Sequence, residues 1–393
     1  MAIGPHVNNL PHTVLLISYY CGRARVAARV FLPSILAVVA AAKWKTVALA
    51  VVIAGAGIVA LALVSGLLYE QAQRARDQER YPQIGRSIDI GGRMLNIDCA
   101  GAGQPTVILA SGANWAVNWV AYDPTTMLAN GGSRPGYSWV AIQRALATVT
   151  TVCWYDRAGS GWSDAGPYPR DSASQARDLH ALLRAARLPP PYVLVGESSA
   201  ALDVRVYAGL YPAELAGLVL ANWADPGLFL NPRSNNGKRA ARVPQWIYHS
   251  QDAIAQLFNG VGLYRLHPLP PAPAPPKGLT PAEWNTVWFL SHSSKAISAL
   301  IQDIASWRLS SAEAQEAGSL GGHPLVVLSA GNIPAPPEFL EAWTNTQNDL
   351  ARLSTRGRQV VVGGGANDLL YDAPDAIVDA VTQIVAEVRE PGH

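Results

Sequence analysis

The stretch TVALAVVIAGAGIVALALVSGLLY, residues 46–69, carries no charged side chain along its whole length. A run of about 20 apolar residues is what one helix needs to cross the hydrocarbon core of a bilayer. Trp44 and Tyr69 stand at its two ends, where interfacial aromatic rings sit. A core helix is seldom apolar on every side for so long. A cleaved leader would not follow the long segment 1–45, and no small-x-small cleavage site comes after the run. The reading is a single transmembrane helix, so the lipid bilayer is the first expected partner.

The flanks divide the rest of the chain. Residues 1–45 form a basic N-terminal segment with Arg23, Arg25, Arg29, Lys43 and Lys45 and no acid. Within it, VFLPSILAVVAAA (30–42) is too short to span and contains Pro33, which suggests an interfacial piece. Residues 70–84 begin as EQAQRARDQER, a polar helical stalk. The Lys/Arg difference between the flanks is slight and favours an inside N-terminus, with the remainder on the extracytoplasmic side. The formal charge of +2 excludes an electrostatic case for nucleic acid.

From residue 81 short apolar strands alternate with amphipathic helices. SIDIGGRMLNIDCAG (87–101) reads as a hairpin turning at Gly-Gly. PTVILASG (105–112), TTVCWYDRAG (150–159), YVLVG (192–196), LAGLVLAN (215–222), PLVVLSAG (324–331) and RQVVVGG (358–364) read as strands. Helices are expected over 140–149, 172–188, 338–354 and 374–390. Near-continuous Val/Ile/Leu strands between helices predict an α/β fold with a mostly parallel sheet covered on both faces. Residues 223–322 interrupt the rhythm. A structureless loop of that size is implausible, and the segment holds helical pieces around HPLPPAPAPP (267–276). It reads as an inserted, largely helical cap. The core is therefore 85–222 and 323–393.

In this order the segments resemble the α/β-hydrolase family. PTVILASG looks like the strand leading to an oxyanion-hole loop. YDRAGSGWSD (155–164) resembles a loop that many members carry after their fourth strand. VLVGESSA resembles the nucleophile elbow, and a cap between strands six and seven is the family's usual insertion. The anchor with YPQIG and GGRMLNIDCAG is similar to a bacterial membrane-anchored branch. The resemblance implies a strand order beginning 1-2-4-3. Cys99 and Cys153 would then be neighbours, and a disulfide between them would fit an exported domain.

The elbow implies chemistry. A tight strand-to-helix turn strains the nucleophile's backbone and lifts its side chain above the sheet edge. Ser198 stands there, in Gly196-Glu197-Ser198-Ser199-Ala200. The oxyanion donors would be the N–H of Ser199 and that of Ala113 or Asn114. Trp115, Trp119 and Trp223 could line the cleft or simply pack. The base should follow the last strand, and there the family's histidine position holds Asn367, beside Asp368. An amide does not accept a proton near neutral pH. Asp368, Glu197 and the cap histidines His249, His267 and His292 remain as bases. For the third member, Asn222 stands where related chains often carry Asp, and Asp225 follows.

No metal signature or dinucleotide loop is present, so no cofactor is expected. Two functions stay open. One is a serine-type hydrolase of carboxylic esters or related small acyl compounds, with a non-standard or missing base. The other is a catalytically inactive member of the fold that binds an apolar ligand or a partner. Dehalogenase or epoxide-hydrolase chemistry would need Asp at the elbow.

Overall fold

The computed structural model describes residues 13–112, 131–221, 245–266, 269–331, 337–363 and 368–390. The chain divides into two compact units, Met1–Leu67 and Leu68–His393. In the first, helix α1 (Thr13–Arg80) begins. Pro33 interrupts neither this helix nor its register, although the sequence suggested a separate piece there. Among the described residues, one helical stretch, Lys43–Arg80, is long and apolar enough to cross a membrane, with a mean hydropathy of 2.9 in its most apolar window. Its side chains from Lys43 to Val64 are exposed, as a lipid-facing surface would be.

The second unit is built on a sheet of eight strands: β1 (Arg86–Asp89), β2 (Met94–Ala100), β3 (Thr106–Ala110), β4 (Val152–Tyr155), β5 (Tyr192–Glu197), β6 (Leu215–Ala221), β7 (Leu325–Ala330) and β8 (Gly357–Val362). Their order is β1-β2-β4-β3-β5-β6-β7-β8. Strands β4 to β8 and β3 run parallel, whereas β1 and β2 are antiparallel to their neighbours. The β1–β2 turn closes on Asp89, whose Oδ1 accepts from the N–H of Gly91 at 2.9 Å and of Gly92 at 2.7 Å. Both glycines have positive φ, which side chains resist.

Alternation along each strand feeds two cores. Ile108, Leu194, Leu218 and Val327 pack on one face, against α3 (Ser172–Ala185) and α4 (Ala200–Leu210). Val107, Val193, Val195, Val219 and Val326 pack on the other, against α2 (Val140–Leu146) and α10 (Pro374–Arg389). Each such side chain removed from water contributes roughly 1.5–3 kcal/mol, so the strand pattern decides the fold. Cys99 and Cys153 lie directly opposite each other on β2 and β4 and form a disulfide. The remaining elements are α8 (Pro337–Ala351) and the short α9 (Leu369–Asp372).

Between β6 and β7 the chain forms a helical layer: α5 (Gln245–Gly260), α6 (Pro281–Ser291) and α7 (Ser294–Glu316). Helix α6 starts in a capping box between Thr280 and Glu283. The stalk does not stand free of this layer. Glu70 is only 5% exposed and binds Arg265, because a carboxylate buried at the helix surface requires a cation.

Candidate active site

Parallel strands β3 and β5 are adjacent although β4 lies between them in sequence, so the strand order reverses at their carboxyl ends. Open α/β sheets place their sites at such a reversal. Ser198 lies at the end of β5 with φ 53°, one of two non-glycine residues with positive φ among those described. Its N–H donates to the carbonyl of Ala221 at 3.1 Å, which fixes the turn to β6. Left-handed backbone at a serine costs about 1–3 kcal/mol, and the tight packing around it sustains the strain. A Cβ at Gly196 would approach Val204 Cγ2 to 2.6 Å and Ala201 Cα to 2.7 Å, so strand and helix touch through a missing side chain. Ala200, at the last position of the elbow motif, is fully buried without disturbing the turn.

Gly112, two residues past β3, meets the elbow directly. A Cβ there would lie 2.5 Å from the carbonyl oxygen of Glu197 and 2.7 Å from the nitrogen of Ser199. The segment that leaves β3 therefore passes against the Ser199 N–H. Ala113, Asn114, Trp115 and Trp119 lie outside the described residues. So do Asn222, Trp223, Asp225, Asn367 and His267.

Beneath the elbow is a charge cluster that no local pattern announced. Arg134 forms an ion pair from Nη1 to Glu197 Oε1 at 3.0 Å, and a second with Asp368 through Nη2. Its guanidinium carbon lies 5.1 Å from the Tyr371 ring centroid. Glu197 also accepts from the Gly112 N–H. Its carboxylate thus joins Gly112, just past β3, to Arg134. Two carboxylates share one guanidinium, and burial raises the proton affinity of both Glu197 and Asp368. Asp368 is the more open of the two, with 27% of its side chain exposed against 3% for Glu197.

A parallel arrangement ties the cap to the elbow helix. Buried Arg157 pairs with Asp203 of α4 at 3.1 Å and with Asp303 of α7 at 2.6 Å. Asp203 accepts from Ser172 Oγ at 2.6 Å. Burial pushes Asp203 up to about 6 against the pull of Arg157. Ser199, Arg157, Asp203, Asp303 and Trp307 are among the residues that line a small recess. The preceding residue, Asp156, is a scaffold: its carboxylate accepts from the N–H of Gly136 at 2.6 Å and of Trp162 at 2.9 Å. The 155–164 loop is therefore built around a buried acid.

Of the histidines, His180 pairs with Glu214 at 3.1 Å. His292 shares a hydrogen bond with the Trp288 carbonyl at 2.8 Å and leans on the Trp288 ring. The side chain of His249 is outside the description.

The comparisons with known proteins agree with this fold. Residues 127–250 match the α/β-hydrolase-fold family model. A thermophilic esterase from Thermogutta terrifontis superposes with TM-score 0.52 at 18% identity, covering 78% of this chain and all of that one. An AB hydrolase superfamily protein of Gibberella zeae is 30% identical over 119 residues, 30% of this chain and 36% of that protein. A Hormonema carpetanum protein named "Probable transporter efuK" is 22% identical over 67% of this chain and 40% of its own length. The chain thus spans less than half of these curated relatives. By strand order, the family-model match and the structural likeness, the chain has the α/β-hydrolase fold.

Proposed function

We propose that this chain is a membrane-anchored serine hydrolase of carboxylic esters, with Ser198 as nucleophile and Asp368 as base. The observation that carries the reading is Ser198 itself, held at positive φ on the elbow with Gly112 against the next N–H. Ser198 Oγ would attack the ester carbonyl while its proton passes to the Asp368 carboxylate. The oxyanion would lie between the N–H of Ser199 and that of Ala113 or Asn114. The leaving alkoxide would take the proton back from Asp368. Water, deprotonated by the same carboxylate, would then attack the acyl carbon, and Asp368 would return that proton to the departing Ser198 Oγ as the acid is released.

Asp368 is supported by three facts. It follows the position that a histidine would hold, it reaches Arg134, which also holds Glu197, and burial lifts its proton affinity towards working pH. Arg134 holds the carboxylate in place and opposes the rise in its proton affinity that burial causes. Anchorage through residues 46–69 as a single pass is supported by the exposed apolar helix. An extracytoplasmic hydrolase unit is supported by the Cys99–Cys153 disulfide.

A second reading, an inactive member that binds an apolar ligand, is favoured by the amide at Asn367. Turnover of short p-nitrophenyl esters by the full chain in detergent separates the two. The proposal expects Asp368→Asn to lower kcat by about 10²–10⁴-fold and to remove the acid limb of the pH profile. Unchanged turnover and pH profile would reject Asp368 as base. A silent folded wild type whose activity appears in Asn367→His would favour the second reading.

A further inference from the structure

Helix α5 presents an apolar stripe to the outside. Trp246, Ile254, Leu257 and Phe258 are 66%, 52%, 57% and 42% exposed, and Leu263 just beyond the helix is 41% exposed. At 3.6 residues per turn, Trp246, Ile254, Leu257 and Phe258 fall within about 120° of one another on the helix, with Ser250 among them. Another side of α5 packs on α7. Soluble surfaces rarely expose so many large apolar side chains together without a partner.

The chain itself indicates the partner. Arg265, three residues after Gly262, bonds Glu70 through Nε at 2.5 Å and Asp77 through Nη2 at 2.8 Å. A Cβ on Gly262 would lie 3.1 Å from Tyr69 Cδ1, so the end of α5 is packed on the last residue of the apolar run. A helix rises 1.5 Å per residue, which puts Glu70 and Asp77 about 2 and 12 Å beyond Tyr69. Headgroup layers are roughly 5–8 Å deep on each side of the hydrocarbon. Leu257 and Phe258 lie about one turn from Gly262. They are therefore within reach of the layer from which residues 46–69 emerge.

We propose that α5 is an interfacial helix whose Trp246–Phe258 stripe lies in the surface of the bilayer that carries the chain. The inference rests on residues 46–69 spanning that bilayer. It is independent of which residue serves as base. Because α7 packs on α5 and on the elbow helix α4 and pairs with Arg157, the layer placed in the lipid surface is the one that rests on the elbow helix. Esters dissolved in the bilayer are the substrates such a placement would supply.

The test uses the full chain with Cys21→Ser, reconstituted in phosphatidylcholine/phosphatidylglycerol vesicles. An environment-sensitive nitrobenzoxadiazole label is attached to one of Ile254→Cys, Leu257→Cys, Val59→Cys in the span, or Val361→Cys on β8. Interfacial burial is about 5–10 Å deep. Labels at 254 and 257 should thus emit at shorter wavelength than the label at 361 and lose at least about half their emission to brominated acyl chains. Bromolipid quenching of intrinsic fluorescence should also fall in Trp246→Phe, which covers the case in which a labelled variant misfolds. A lipid-like signal at 59 with water-like signals at 254 and 257 would overturn the docking and leave the span standing. A water-like signal at 59 would overturn both.

Discussion

Arg134 and Glu197 form an ion pair at 3.0 Å in which both side chains are 3% exposed, directly under the turn that presents Ser198. Glu197 precedes Ser198, the proposed nucleophile, and Arg134 follows the proposed oxyanion segment in sequence. Their bond therefore locks the two halves of the proposed oxyanion site to each other.

Loss of that cation should be costly. Arg134→Leu leaves the buried Glu197 and the half-buried Asp368 without their shared counter-charge, and removing one partner of a buried pair costs about 3–5 kcal/mol. Chemical unfolding of the full chain in detergent should show this loss. Arg134→Leu/Glu197→Gln should recover part of it, since one stranded charge is gone. A double variant no more stable than the single one would deny the coupling.

Gly112→Ala tests the close approach at the elbow. The added methyl meets backbone atoms at 2.5 and 2.7 Å, which cannot rotate away. Overpacking of this kind costs about 1–3 kcal/mol. The displaced groups include the Ser199 N–H, so kcat for a short ester should fall at least about tenfold with KM little changed. Equal kcat in a folded variant would separate this contact from oxyanion binding.

Stability should respond to pH through Asp203. Two carboxylates, Asp203 and Asp303, face the single Arg157, and burial raises Asp203 from 3.8 to about 6. A raised pKa in the folded state means that folding favours the proton. The stability from that proton is full below about pH 4 and is lost as pH rises through about 6, on the order of 3 kcal/mol. Asp203→Asn keeps an acceptor for Ser172 and removes the titration. Melting temperatures across this range should fall with pH in the wild type and fall less in the variant. Parallel slopes would assign the effect elsewhere.

Local sequence carried the sheet well because each core strand is a short Val/Ile/Leu run whose alternate residues must be buried on one face or the other. Strand order and the Cys99–Cys153 neighbourhood came from the resemblance rather than from spacing. Ser198 was legible because the elbow is a contiguous motif. Arg134 was not: it sits in GGSRPGYS, with no periodicity and no motif, and its partners lie 63 and 234 positions away. Arg157 stood in a recognised loop, but its pairing with Asp303 spans 146 positions. The stalk looked solvated because EQAQRARDQER is polar, yet its Glu70 serves an arginine from the cap. Long-range ion pairs leave no trace in local pattern, since either partner alone reads as a surface charge.

The central claim is that Ser198 is an activated nucleophile. The most direct measurement is labelling of the full chain in detergent with a fluorophosphonate probe, beside Ser198→Ala. The account predicts covalent labelling of the wild type that disappears in the variant while both remain folded. A folded wild type that stays unlabelled, or a Ser198→Ala variant labelled equally, would contradict it.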